Sequence, residues 1–101
     1  RKKTTYEESY QRELETLREK IDVSDQAILD ALGKRMKVAE SIGQLKKDNN
    51  VAVLQNKRWN EILETMQAEG VERNLSEEFI TQIFKAIHQE SINHQEKVIN
   101  G

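Results

Sequence analysis

The sequence predicts an all-α fold of three helices per chain, one long and two shorter, and three observations carry that prediction. Prolines are absent and the four glycines stand far apart, at 33, 43, 70 and 101, so little interrupts a helix. Apolar residues recur at steps of three and four in three separate stretches, the signature of helices with one buried face. The 101 residues, 36% hydrophobic and 34% charged, are one domain's worth of chain with a thin core.

The first helix is carried by Leu14, Leu17, Ile21, Ser24, Ile28, Ala31, Arg35, Val38, Ile42 and Leu45, a near-unbroken stripe. Residues 1–13 ahead of it are polar and read as a linker or frayed N-terminal extension, with 14–101 as the folded domain. The stripe ends at Lys46-Lys47-Asp48-Asn49-Asn50, whose Asp and Asn residues favour turns, and Val51-Ala52-Val53 follows as a short extended link. A second helix is expected from about Leu54 to Glu69 on Trp59, Ile62, Leu63 and Met66, with Gly70 placed to end it. The third opens at Ser76, a good N-cap, with Glu77 and Glu78 in the dipole-favoured first turn. Its stripe is Ile80, Ile83, Phe84, Ile87, Ser91, Gln95 and Val98.

The first helix is too long for its companions to cover. Thr16 to Lys47 alone, 32 residues, make a rod of about 48 Å at ~1.5 Å per residue, whereas a chain of this length folds to a radius of gyration of only ~13 Å. The uncovered stripe needs another chain, so an intertwined homodimer is expected.

Composition removes several classes of function. Sixteen Lys+Arg against eighteen Asp+Glu give a net charge of -2, with no basic surplus to draw the chain to nucleic acid or anionic membrane. Without cysteine there is no disulfide, no thiol nucleophile and no thiolate-held zinc. No apolar run approaches the ~20 residues a bilayer requires, and a cytoplasmic location is the expectation. The chain starts at Arg1 rather than methionine, which suggests a piece of something longer.

The informative residues break the apolar pattern. Arg35 sits in the middle of the first stripe, and Lys46, eleven residues on, points to nearly the same side. Arg58, with Gln55 one turn before it, flanks the Trp59–Ile62 face, and Ser91 and Gln95 continue the third stripe. A single arginine on a stripe usually snorkels or pairs with an acid. Here acids on the inward faces are scarce, Asp25 being the one plausible partner. Several buried cations without carboxylates are costly unless an anion joins them, so the pattern suggests a pocket for a small anionic ligand.

Other constellations fail. His88 and His94, six apart, fall on different helix faces, so no two-histidine metal site and no metal or other cofactor is expected. Gly33-Lys34-Arg35 lacks the spaced glycines of a phosphate loop, and Lys34, Lys37 and Lys47 read as a solvated face. Glu90 and His94 make a commonplace i,i+4 pair, and Trp59 reads as a core or pocket-wall residue. No nucleophile–base pair is legible.

Taken in order, Leu17-Arg18-Glu19-Lys20-Ile21-Asp22, Asp25, Ile28-Leu29, Gly33-Lys34-Arg35-Met36, Ala39, Ile42-Gly43 and Lys46 resemble the first helix of the all-helical (AroQ-class) chorismate mutases. The similarity continues through Arg58 to Phe79-Ile80, Ile83-Phe84 and Ser91 to Gln95, covering about residues 14–98. The wording around Ile28-Leu29 to Arg35, Leu54-Gln55 and Arg58-Trp59 is most similar to mutase domains fused behind 3-deoxy-7-phosphoheptulonate synthase, which implies such a synthase as fused partner. The resemblance implies conversion of chorismate to prephenate, toward phenylalanine and tyrosine. That intramolecular pericyclic rearrangement needs no acid, base or nucleophile, only a compact substrate conformation and stabilisation of charge as the ether bond breaks.

By the same resemblance Arg18, Arg35 and Arg58 grip the two carboxylates, Lys46 and Gln95 donate to the ether oxygen, and Ser91 holds a carboxylate or its network. Arg35, Lys46 and Gln95 are thus the expected catalytic residues. The family pattern carries an acid just after the helix 2 arginine and often one three residues before; here those places hold Trp59 and Gln55, so Gln55 becomes the candidate for the substrate hydroxyl. Arg18 and Arg35 are seventeen residues apart, ~25 Å along one helix and turned by about a quarter circle. One small molecule cannot be clasped by both from one chain, so Arg18 is expected from the other protomer. Three other readings accompany this one: isochorismate pyruvate lyase on the same fold, a regulatory or dimerisation module with vestigial activity, and a plain coiled coil.

Overall fold

Both interhelical turns are closed by an asparagine. In the computed structural model, which describes residues 5–101, the elements are α1 (Thr5–Asp48), α2 (Asn56–Glu72) and α3 (Glu77–Asn100), an all-α chain of three helices as the sequence predicts. At the end of α1, Asn50 takes the left-handed conformation at φ 56°, Val51 N–H donates to the Lys46 carbonyl at 2.9 Å and Asn50 N–H to that of Lys47 at 3.3 Å. At the end of α2, Asn74 does the same at φ 61°, with Leu75 N–H on the Gly70 carbonyl at 2.9 Å and Asn74 N–H on that of Val71 at 3.0 Å. These are paired six-to-one and five-to-two bonds that satisfy the orphan carbonyls of a helix end, and asparagine tolerates the left-handed residue they require. The Ser76 side chain accepts from Phe79 N–H at 3.2 Å and opens α3 as expected.

Gly70 does not end α2. The helix runs through it to Glu72, and Gly70 is buried where a Cβ would stand 2.5 Å from Cγ1 of Ile80 on α3. Its smallness lets α2 and α3 approach, while Asn74 supplies the turn. The first residues of the polar lead-in, 1–4, lie outside the described residues, and from Thr5 onward the chain is helical.

The chain divides into two compact units, residues 1–33 and 34–101. In the first, the described residues form a single stretch of helix whose Leu17, Ile21, Ile28 and Leu29 are exposed. The second combines the last turns of α1 with α2 and α3. Here the face of α1 that packs on α3 is Met36, Ala39 and Gly43, one residue round from the stripe seen in the sequence. Val38 and Leu45, on that stripe, remain 58% and 64% exposed. The reason is steric: at Gly43 a Cβ would sit 2.9 Å from the Gln95 Cα, so the small residues admit the closest approach of α3. With Ile80 and Ile92 they make a sparse core, to which Ser91 and Gln95 add two buried polar side chains.

Candidate functional site

The close approach at Gly43 brings polar groups of α1 and α3 face to face. Lys46, one turn beyond, donates from Nζ to Oε1 of Gln95 at 2.9 Å and to the carbonyl of Val53 at 2.7 Å. The second bond depends on the turn at Asn50, which folds the Val51–Val53 link back over the helix end. Two of the ammonium protons are thus used and one is left. Because its oxygen accepts from Lys46, Gln95 turns its amide N–H donors elsewhere. Three turns before Lys46, the Arg35 guanidinium donates from Nη1 to Oγ of Ser91, and the Ser91 hydroxyl lies 3.8 Å from the Met36 sulfur.

These groups line one cavity of about 450 Å³. Six of the seven residues singled out from the sequence stand on it: Arg35, Lys46, Gln55, Arg58, Ser91 and Gln95. The seventh, Arg18, belongs to the N-terminal unit and is not among the lining residues. Gln55 caps α2 through its backbone, at φ -132° and ψ 95°, and its side chain makes no capping bond. Three basic side chains, Arg35, Lys46 and Arg58, therefore share a cavity whose lining contains no Asp or Glu. Asp25, the one acid the sequence offered, lies in the other unit.

The electrostatics follow from that imbalance. Burial first, and then the charge of Arg58, lower the Arg35 pKa from its ordinary value; burial lowers that of Lys46. No carboxylate offsets either shift, and the volume suits a small anion. Among the described residues no group of His, Asp and Glu is arranged to hold a metal ion. No described helix is long and apolar enough to cross a membrane.

Two features escaped the sequence. Val53 enters through its backbone carbonyl, which no side-chain pattern reveals. His88, set aside there with the failed metal pair, lines the cavity and stacks on Trp59 with ring centroids 4.3 Å apart and planes 16° from parallel. The signal that would have found it is the helical spacing His88, Ser91, Gln95, which puts all three on one face.

Comparison with known proteins identifies the family. The family model for chorismate mutase type II matches residues 17–96. The chain is 33% identical over 82 residues to a bifunctional chorismate mutase/prephenate dehydratase of Buchnera aphidicola subsp. Acyrthosiphon pisum. It is 32% identical over 88 residues to the protein of the same name from Buchnera aphidicola subsp. Schizaphis graminum. Those matches take in 81% and 87% of this chain but only 21% and 23% of the relatives' own length. The likeness to domains fused to 3-deoxy-7-phosphoheptulonate synthase is thereby corrected: the relatives join the mutase to a prephenate dehydratase. The residues behind that expectation, such as Gln55, Arg58 and Trp59, line the cavity, and pocket residues carry no information about which domain is joined to the fold.

Proposed function

The chain belongs to the chorismate mutase type II family, a class of isomerases, and from that premise we propose that residues 14–101 convert chorismate to prephenate in the cationic cavity. One observation carries the assignment of the site: Arg35, Lys46 and Arg58 share a cavity with the amide of Gln95 and with no carboxylate. A dianion with an ether oxygen is the complement of such a set.

The mechanism needs no proton transfer. Arg35, held by Ser91, and Arg58 on the α2 side bind the carboxylates and fold the substrate so that the bond-forming carbons meet. As the ether C–O bond breaks, negative charge grows on the oxygen. The remaining Lys46 proton and the Gln95 amide donate there, and because both groups are already fixed to each other and to Val53 they need no reorganisation. Such a donor is worth about 3–4 kcal/mol of barrier. Gln55 is assigned to the substrate hydroxyl.

The same reading makes the protein an intertwined homodimer. Leu17, Ile21, Ile28, Val38 and Leu45 are 53% to 64% exposed in a single chain, and covering what remains would gain about 1–2 kcal/mol for each. A second copy of α1 supplies that cover, and with it the partner's Arg18 to this cavity. Mixing Arg18→Ala with Arg35→Ala protein tests this. Half the dimers are then mixed and half of their sites intact, so about a quarter of native activity should return. No recovery after verified subunit exchange would count against shared sites.

The activity itself is tested by incubating the protein with chorismate and analysing the product, with Arg35→Ala as control. Prephenate from the native chain and not from the variant is expected. Pyruvate released from isochorismate, with chorismate left untouched, would replace the mutase by a lyase.

A further inference from the structure

His88 is the one titratable group on the cavity lining that the mechanism above leaves unused. It stands on α3 three residues before Ser91 and seven before Gln95, and therefore on the face that lines the site. Its ring is fixed by the parallel stack on Trp59 of α2. Neither ring nitrogen has a hydrogen-bond partner among the described residues. Every charged group that shares the cavity with it is positive: Arg35 and Lys46 from α1 and Arg58 from α2, while its own helix contributes only the neutral Ser91 and Gln95. No buried side-chain nitrogen or oxygen among the described residues lacks a partner, so the unpaired ring nitrogens of His88 are accessible, and on a cavity lined by cations they are placed to meet an anion.

We propose that His88 is a ligand-contacting residue of this pocket, a neutral imidazole in the empty site that becomes a protonated hydrogen-bond donor when the dianionic substrate is bound. The inference rests on the anion-binding reading of the cavity given above and adds a binding residue with a pH dependence to it. Burial first, and then Arg35 and Lys46, hold the empty-site imidazole below its ordinary value of 6.5. Two carboxylates entering the cavity reverse the sign of the field at the ring. Proton and dianion then strengthen each other's binding reciprocally. The affinity for the dianion rises as pH falls between the two titration midpoints, by up to about tenfold per pH unit for one linked proton. Trp59 acts as a positioning residue by limiting the ring to one plane.

The chain has only two histidines, which makes the test direct. The ring resonances of His88 and His94 are titrated by NMR in the free protein and again with saturating prephenate, the product dianion. The His88 midpoint should rise by about half a pH unit or more while that of His94, outside the cavity, stays in place. In parallel, kcat/KM for chorismate should climb as pH is lowered from 8 toward 6, and the climb should vanish in His88→Asn. An unmoved His88 midpoint with prephenate shown to be bound overturns the inference and leaves the mutase reading intact. If prephenate does not bind and chorismate is not turned over, both fall together. Should His88→Asn fail to fold, the titration of the unaltered protein still decides.

Discussion

The two faces of α3 differ in what surrounds a histidine. On the inner face His88 meets Arg35 and Lys46, and its pKa is lowered by burial and by those charges. On the outer face, six residues on, His94 lies 2.7 Å from an Oε of Glu40 and 3.0 Å from one of Glu90, and its pKa is raised, chiefly by those hydrogen bonds. The same side chain on the same helix is pushed in opposite directions. Since the chain as a whole has slightly more acids than bases, carboxylates were there to be used; they neutralise the outer face and are kept out of the cavity. The inner face is left with uncompensated positive charge, which is what a site for a dianion requires and what a purely structural core would not tolerate.

The largest effect should come from breaking the inner face. Lys46→Ala and Gln95→Ala each remove a donor that the proposed mechanism assigns to the ether oxygen, and kcat should fall by about 10²–10³ in either variant with the helical content unchanged. His94→Asn, on the outer face, is the control, and its kcat should match the native value. Near-normal turnover in both inner variants would remove the ether-oxygen assignment.

A smaller effect is expected where the inner face is held in register. Gly33 and Gly43 are both interior residues of α1, but a Cβ at 33 meets nothing within 4 Å, while one at 43 meets the Gln95 backbone at 2.9 Å. Gly43→Ala must push α3 away, at a cost of about 1–3 kcal/mol, and it moves Gln95 off Lys46, so kcat should fall with the melting temperature. Gly33→Ala should instead stabilise by about 0.5–1 kcal/mol, since alanine gives up less chain entropy in a helix. Equal effects at the two glycines, read from denaturant midpoints, would show that the approach of α3 at Gln95 is not what limits residue 43.

That contrast also shows what the sequence conceals. The helices were legible because their signals are local: periodicity, the Asn-rich turn and the Ser76 cap all act within a few residues. The cationic residues stood out because they interrupt an apolar pattern. What was not legible depends on helices meeting. The stripe through Val38, Ile42 and Leu45 is the most hydrophobic face of α1, yet α3 packs on Met36, Ala39 and Gly43, where small side chains permit contact. Gly70 carried a helix-stop signal, and its actual use, to admit Ile80, exists only once α2 and α3 are side by side. The Val53 carbonyl and the Trp59–His88 stack are of the same kind.

The smallest effect is the most specific test of the two-face contrast, because it follows from sign alone. A histidine with a lowered folded pKa binds its proton more readily in the unfolded chain, so His88 makes stability rise with pH from its folded midpoint up to the unfolded value near 6.5. A raised one does the reverse. His94 contributes stability that is fully present below about 6.5 and is lost as pH climbs through its folded midpoint. In the ligand-free protein the two windows meet at the ordinary histidine value, and the histidine contribution to stability should peak there. Urea midpoints measured from pH 5 to 8 should show it, with His88→Asn flattening the acid limb and His94→Asn the alkaline limb. Glu40→Gln should shrink the alkaline limb as well, since it removes the larger of the two hydrogen bonds behind the shift. If a single variant abolished both limbs, the histidines would not be responding to separate surroundings, and the opposition of the two faces would be lost with them.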